Sequence, residues 1–560
     1  MTYRPGRAFR VLDVQTGKAV FEGKTRLSAS RTARNEDAYK NNHNGADVWE
    51  MDVSRLTTPG TYRVSVAGVG CSYPFRIADD VWRRAFITSA RGFYHQRSGI
   101  ALGPPYTTYR RPRCFHPADG VKVYASTAAL MDTGGGLGGG GNFARLVKGK
   151  TDTIVPDAWG GYMDAGDWDR RIQHLESTRL LLELAELFPD TFAEISLNIP
   201  ESRTPLPDII DEALFNLDFY RRLQTREGGI RGGIESAEHP RMGEASWQES
   251  LTVMAYAPGV WSSTIYAGVA ARAAGVVSAY DAKLAGVYRK SAVAAIAWAE
   301  AQLKQIAGRK LPHAVNDERN LAAAELFRLT GEKAYHDLFI RTTAITSPDA
   351  ELFKWKHHDQ PHAAWVYLRT NRRDTNATVR ANCRRALLRR ADNRAAHCAK
   401  TGYRWTKYPW RPTVAGALTA PDAVDLVRAH VLTGETKYLA AAVLACQTGL
   451  GANPLDLCYT TGVGHSWPKR PLHLDSRITA QPAPPGLTVF GPLDHGRAAQ
   501  QWAEKSVLRY CHPKRSAWPI IEAYWDIFWY PMMCEYTIHE PMARNAYVWG
   551  YLAARKPLAR

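Results

Sequence analysis

The chain has 560 residues, 45% hydrophobic and 22% charged, which excludes a disordered tail or a small disulfide-stapled module and predicts a globular protein of more than one domain. Its formal net charge is +18. That charge attracts polyanions, but no zinc-finger spacing, RNA-binding signature or basic arm accompanies it, so nucleic acid is not the expected partner.

From the N-terminus, Phe9–Val14 and Tyr62–Ala67 alternate apolar and polar residues, Pro59-Gly60 supplies a turn, and Cys71–Ile77 reads as a further short strand. Short alternating strands of this kind predict a small β-sandwich over residues 1–80. From Asp80 onward helical periodicity dominates. Helices are expected over His174–Leu187, Leu206–Gln224, Ser262–Ala274, Ala282–Gln305, Asn320–Thr330, Ala377–Arg390, Asp422–Thr433, Thr436–Leu450 and Arg544–Ala554. Many helices joined by long irregular loops fit a helical toroid over residues 81–560 better than a simple bundle, whose connections are short. The basic run Val379–Arg394 reads as a solvated helix face, and the glycine run Thr133–Asn142 as a mobile loop without the Gly-Lys-Ser/Thr ending of a phosphate cradle. Eight cysteines are scattered without a Cys-x-x-Cys pair, so neither a disulfide framework nor a metal module is indicated. No run approaches the roughly 18 apolar residues of a membrane span, and the first residues lack the apolar core of a signal peptide.

The most informative string is Gly160-Gly-Tyr-Met-Asp-Ala-Gly-Asp-Trp-Asp-Arg-Arg171. It sets Asp164 and Asp167 three residues apart around a glycine, among aromatics. Two acids converging on one point can hold and deprotonate a water, and flat rings such as Tyr162 and Trp168 can face sugars. Alone, the string is equally a turn leading into a helix, where acids favour the N-terminal dipole.

Further pieces then fall in a recognisable order. They are Leu56–Ile77, Phe93-Tyr-His-Gln-Arg-Ser-Gly99, the Asp164-Ala-Gly-Asp167 string, Pro207-Asp-Ile-Ile-Asp-Glu212, Asp317–Gly331, Leu450-Gly-Ala-Asn-Pro454, Thr461-Gly-Val-Gly464 and Cys534-Glu535. Together they resemble glycoside hydrolase family 9, in its subgroup with an N-terminal immunoglobulin-like domain. The resemblance implies an (α/α)6 barrel and an inverting mechanism on β-linked glycans. By position, Asp167 would be the general base, Asp164 would help hold the water, and Glu535 would be the general acid. A base and an acid set roughly 6.5–9.5 Å apart leave room for that water, and the apolar neighbours of Glu535 would help it keep its proton.

The chain departs from the family around the cleft. Pro471-Leu-His-Leu474 stands where the family has Pro-His-His-Arg, keeping His473 and losing the arginine. Tyr408-Pro-Trp-Arg-Pro412 keeps only Trp410 of an aromatic-Trp-Gly-Ser-Asn segment, and Glu540 replaces an aromatic after the acid. His473, Trp410, Tyr162, Trp168, Glu540 and Arg170 are therefore the expected substrate-binding residues. Arg170, Arg171 and Arg411 could grip carboxylates. The expected activity is endo-cleavage of a β-1,4-glucan backbone, cellulose-like or carrying anionic decoration as in a xanthan-like exopolysaccharide. The alternatives are an exo-acting β-glucosidase or glucosaminidase, with Glu540 reading the end sugar, and a non-catalytic glycan-binding protein.

No cofactor is required by this reading. Relatives in the subgroup hold zinc through a cysteine and a later Cys-His pair. Here Ser98 takes the first position and Cys114-Phe115-His116 breaks the pair, so zinc is not expected. Calcium is common in the family, and the loop Glu227–Glu249 is acidic but lacks regular ligand spacing, so no calcium site is assigned. A polysaccharide is the expected partner, without membrane insertion. The family implies secretion or a periplasmic location, and the sequence sets no oligomeric state.

Overall fold

Alternating burial builds the N-terminal sheets. In β1 (Ala8–Asp13) Phe9 and Val11 are buried while Ala8 and Arg10 face out, the period-two pattern of a half-buried strand. The computed structural model describes residues 8–141, 143–406, 418–493, 508–514, 517–527 and 531–555. β1 lies antiparallel between β2 (Ala19–Lys24) and β5 (Gly60–Val66). β5 also pairs with β6 (Gly70–Cys71) and β7 (Phe75–Ile77), while β3 (Arg26–Ala29) and β4 (Val48–Glu50) form a second, two-stranded sheet. Phe9, Val11, Tyr62 and Val66 make the core of this β-rich unit. The strand expected over 71–77 is two strands. Pro74 falls between them and has no N–H to donate to a ladder.

The barrel begins a few residues later. Among the described residues, twelve helices of eight residues or more alternate between an outer and an inner ring. The outer ones are α1 (Val81–Gln96), α3 (Asp208–Arg222), α5 (Ala282–Gln305), α7 (Lys333–Thr342), α9 (Ala377–Lys400) and α11 (Thr436–Gln447). The inner ones are α2 (Leu175–Leu187), α4 (Val260–Val277), α6 (His313–Thr330), α8 (Pro361–Leu368), α10 (Val424–Thr433) and α12 (Ala543–Ala554). α12 packs on α2, α2 on α4, α4 on α6, α6 on α8, and α10 back on α12. Arg428 of α10 lies over the Trp365 ring of α8 and completes the circuit. This is an (α/α)6 barrel. The inner helix α4 is apolar nearly all round, with almost every residue buried, which is what a helix enclosed on all sides requires.

The barrel axis carries an ionic knot contributed by all six inner helices. Glu183 of α2 accepts from Arg428 Nη2 at 2.7 Å, Arg272 Nη1 at 3.1 Å and Tyr547 Oη at 2.6 Å. Arg272 also donates to Glu325 at 2.6 Å, and Arg428 Nη2 lies 3.0 Å from His362 Nδ1. Burial alone would raise the Glu183 carboxyl, but Arg428 and Arg272 outweigh it and hold it well below the usual range. Its stabilising contribution is thus present above the unfolded-state pKa and is lost only as pH falls far into acid. Glu183→Ala leaves the buried Arg428 guanidinium without its carboxylate and takes one of two from Arg272. A destabilisation of about 3–5 kcal/mol is expected, read as a large drop in Tm by calorimetry. An unchanged Tm would show that the knot does not hold the barrel together.

One element of the catalytic region is absent from the sequence reading. A five-stranded sheet, β10-β11-β12-β8-β9, is inserted among the helices, comprising β8 (Val123–Ala129), β9 (Lys150–Ile154), β10 (Arg170–Arg171), β11 (Gly233–Ser236) and β12 (Val253–Ala257). Its strands are short, and β8 and β12 are rich in alanine, so they carry little β signal. This sheet positions half of the site.

Candidate active site

The Asp164–Asp167 string forms a tight loop over the start of α2. Met163 N–H donates to Gln96 O at 2.8 Å and Asp164 N–H to Asp169 O at 3.1 Å, closing the loop on itself and on the end of α1. Gly166 has φ +81°, and a Cβ there would lie 2.7 Å from Leu472 Cδ2. Only glycine meets both the left-handed backbone and that close approach.

Glu535 arrives from the other end of the chain. Its carbonyl accepts from Phe490 N–H at 2.7 Å, while Leu472 N–H donates to Cys534 O at 2.7 Å and Gly491 N–H to Met533 O at 2.9 Å. The segment is thereby laced between two loops. Just beyond it, Ile538 N–H donates to Asp164 Oδ1 at 3.1 Å across 374 residues of sequence. The two motifs thus meet through a direct bond between the Asp164 carboxylate and the backbone that follows Glu535.

The sheet brings further charge to the same place. β10 is two residues long, and successive strand side chains point to opposite faces. Arg171 turns toward the acids. Its Nε lies 3.1 Å from Asp169 Oδ2 and its Nη2 3.9 Å from Asp167 Oδ2, and it pairs with Glu235 of β11. Tyr256 of β12 braces Glu235 from behind. Gly135, in the glycine run, packs against this guanidinium: a Cβ there would lie 2.9 Å from Arg171 Nε. Asp169 and Glu235 were not among the expected site residues, and Arg171 was expected to grip a substrate carboxylate and not the acids of the protein itself. Asp169 was readable only as one more acid in a charged string, and nothing in the sequence linked Glu235 to it.

The carboxyls do not titrate alike. Burial, and then the charges of Asp164 and Asp169, push Glu535 up to about 8, against the pull of Arg171. Asp167 is also raised well above the usual range, by burial and then by Asp169 beside it. Asp169 is held low: burial opposes ionisation, but Arg171 and a hydrogen bond shared with Asp167 overcome it. Asp167 therefore ionises less readily than Asp169, its hydrogen-bond partner, which lies next to Arg171. The Asp167 side chain keeps 13% of its surface open to solvent, enough for water to reach it.

The expected substrate-binding residues divide. Tyr162 is buried, donates to the Glu212 carbonyl at 2.6 Å and stacks on Phe93, so it belongs to the floor beneath the loop and not to the cleft surface. Trp168 has φ +53° and is also buried, its ring edge-on to Phe115. Arg170 points away from the acids; it donates to Ser98 Oγ at 2.9 Å and lies over the Phe115 ring. Its guanidinium thus sits among Ser98 and Phe115, the neighbourhood that the zinc ligands of relatives would share. His473 is buried, accepts from Ser476 N–H at 3.2 Å and stacks on Tyr536, and burial pushes its pKa down to about 4. It is a neutral prop next to the Glu535 segment. Glu540 sits half-buried in the turn after Glu535, while Trp410 and Arg411 lie outside the described residues. In the acidic loop, Glu235 turns inward as above, and Glu249 and Glu244 accept from Ser236 and Ser250.

Residues 82–526 match glycosyl hydrolase family 9, and residues 3–71 match the cellulase N-terminal ig-like domain. The chain belongs to glycosyl hydrolase family 9. It is 26% identical over 524 residues to a xyloglucan-specific endo-beta-1,4-glucanase of Bacteroides ovatus, covering 86% of this chain and 81% of that protein. It is 24% identical over 442 residues to endoglucanase D of Acetivibrio thermocellus, covering 76% of this chain and 66% of that protein. The fold is similar to that of the family 9 endoglucanase J30, with a TM-score of 0.79 at 24% identity over 98% of this chain and 96% of that one. This family 9 protein is a glycoside hydrolase of the endo-β-1,4-glucanase type.

Proposed function

We propose that this family 9 hydrolase cleaves a β-1,4-glucan backbone in the chain interior with inversion, using Asp167 as general base, Asp164 to hold the attacking water, and Glu535 as general acid. The observation that carries the assignment is the bond from Ile538 N–H to Asp164 Oδ1. It brings the backbone just after Glu535 against Asp164, and Glu535 is raised to about 8 by burial and then by the charges of Asp164 and Asp169, so it is still protonated at neutral pH. A buried acid that keeps its proton can deliver it to a departing sugar oxygen. The partly open Asp167 is the carboxylate that water can reach.

The substrate follows from what surrounds the acids. Arg171 is committed to Asp169 and Glu235, and Arg170 to Ser98 and Phe115. Neither is free to fork a carboxylate on the substrate, which removes the support that these two arginines gave to an anionic glucan; Arg411 lies outside the described residues. A neutral β-1,4-glucan, plain or decorated as in the xyloglucan of the Bacteroides ovatus relative, is the better-supported substrate. Incubation with carboxymethyl-free cellulose oligomers, xyloglucan and an acidic exopolysaccharide, with product sizing and early proton NMR, tests both parts. Medium-length fragments carrying an α-anomeric end are expected, with the neutral glucans cut faster. A β-anomeric first product would mean retention through a covalent nucleophile and would remove the base role from Asp167. Faster cutting of the acidic polymer, lost at high salt, would restore the anionic reading.

A further inference from the structure

Behind the acids stands a group that hydrolysis by two carboxyls does not use. Asp164, His174 and His539 each offer a ligand atom, and these atoms lie within 4.8 Å of one another. The remaining atoms of two of them are already committed. Asp164 Oδ1 accepts from Ile538 N–H, and His174 Nδ1 lies 3.0 Å from the Tyr162 carbonyl. A carbonyl can only accept, so His174 carries its proton on Nδ1 and presents the Nε2 lone pair, 3.7 Å from Asp164 Oδ2. That gap is too long for a hydrogen bond. It is close to the separation of two ligands on one ion with bonds of about 2.0–2.2 Å. A carbonyl fixing the far nitrogen of a ligating imidazole is the usual outer support of a metal site.

Two independent observations point the same way. His539 lies in a π-helical turn, Ile538–Met542, which interrupts the entry to α12 and swings the ring alongside His174, with centroids 5.7 Å apart and planes inclined by 24°. Turns of this kind recur at functional sites. Its Nδ1 is buried without a hydrogen-bond partner, and such an atom costs free energy unless something satisfies it. Charge is the second observation. Arg171 pairs with Asp169 and Glu235 and lies 3.9 Å from Asp167, and Glu535 keeps its proton, whereas Asp164 has no arginine or lysine within ion-pair distance among the described residues. A buried carboxylate so placed is relieved by a cation.

We propose that Asp164, His174 and His539 bind a first-row divalent transition-metal ion, with zinc the natural occupant. Two imidazoles with one carboxylate suit zinc, cobalt, nickel, manganese or iron, whereas calcium and magnesium prefer all-oxygen shells. A tetrahedral ion on three side chains keeps one position for water, the molecule that hydrolysis consumes. Asp164 would then hold that water through the ion, and Asp167 and Glu535 would keep their roles. The site is separate from the cysteine–histidine zinc positions of relatives, where Arg170 lies against Ser98.

Ion binding tests this apart from hydrolysis. The full chain, stripped with a strong chelator and dialysed, is titrated with zinc by calorimetry and with cobalt by visible absorption. One ion per chain is expected, with the intense visible bands of cobalt in a low-coordinate nitrogen–oxygen site. His539→Asn should weaken binding at least ~10-fold and flatten those bands, and His174→Gln should do the same. Circular dichroism of each variant separates a lost site from a lost fold, and the half-exposed His539 is the safer of the two positions. His357→Asn, on the exposed surface, should bind as the parent does. No binding by the parent protein, or equal binding by a folded His539→Asn variant, overturns the proposal.

Discussion

Asp167→Asn is expected to lower turnover by about 10²–10⁴-fold on any glucan the enzyme accepts, with the fold intact. Among the described residues the side chain makes no hydrogen bond to the backbone; it shares one with Asp169, and Arg171 Nη2 and His239 Nδ1 each lie 3.9 Å away. Asparagine fills the same space and its amide can donate to Asp169 in place of the acid's own hydrogen bond, so Tm should hold. What is lost is the group that takes the proton from water. Steady-state rates on a soluble β-glucan, set beside a melting curve, give the answer. Near-parent turnover in the folded variant would move the base elsewhere, and Asp169 would be the first place to look. Its carboxylate stays ionised beside Arg171 and shares a hydrogen bond with Asp167, so it is chemically competent, but it is almost wholly buried, away from an incoming water.

The barrel was legible because its helices carry strong, long apolar stripes. Ala282–Gln305 agrees at both ends, and the others are shifted mainly at their caps or extended, as Ala377–Arg390 runs on to Lys400. Val81–Gln96, Lys333–Thr342 and Pro361–Leu368 escaped notice. Pro361–Leu368 is short and apolar on every side, which leaves no stripe to read. The catalytic string was legible for the opposite reason: its glycine and paired acids are a local device, complete within a few residues. What surrounds it was not. Arg170 and Arg171 are neighbours in sequence, and only the strand they form decides that one enters the core and the other meets the acids. Trp168 reads as a sugar platform until its positive φ turns it inward. Glu235, His174 and His539 acquire meaning solely from contacts across tens to hundreds of residues. Side-chain direction and long-range pairing are the two things a residue pattern does not encode.

Glu535→Gln should divide substrates by leaving group. The acid contributes where a sugar alkoxide departs, since that oxygen needs a proton, and little where the leaving group is an activated phenol. A loss of about 10²–10⁴-fold on oligosaccharides with a much smaller loss on a dinitrophenyl glycoside is expected, provided the cleft admits it. The geometry supports a small structural effect, because the Glu535 segment is held by its backbone, through Phe490 N–H, and not by the carboxyl. The same group sets a pH limit. A general acid works while protonated, and Glu535 sits at about 8 because burial and the charges of Asp164 and Asp169 oppose its ionisation. In the parent enzyme kcat/KM should therefore fall as pH rises through roughly 8, not through the ordinary glutamate range near 4.3. The rising limb belongs to Asp167, which must be ionised to act; since burial and Asp169 raise it, that limb should also lie on the alkaline side of an ordinary aspartate. The active window is thus displaced toward neutral and mildly alkaline pH by one cause, the crowding of buried carboxyls around a single arginine. In Glu535→Gln, assayed on the activated glycoside, the alkaline limb should vanish while the rising limb stays. An alkaline limb that survives the substitution would show that a group other than Glu535 delivers the proton.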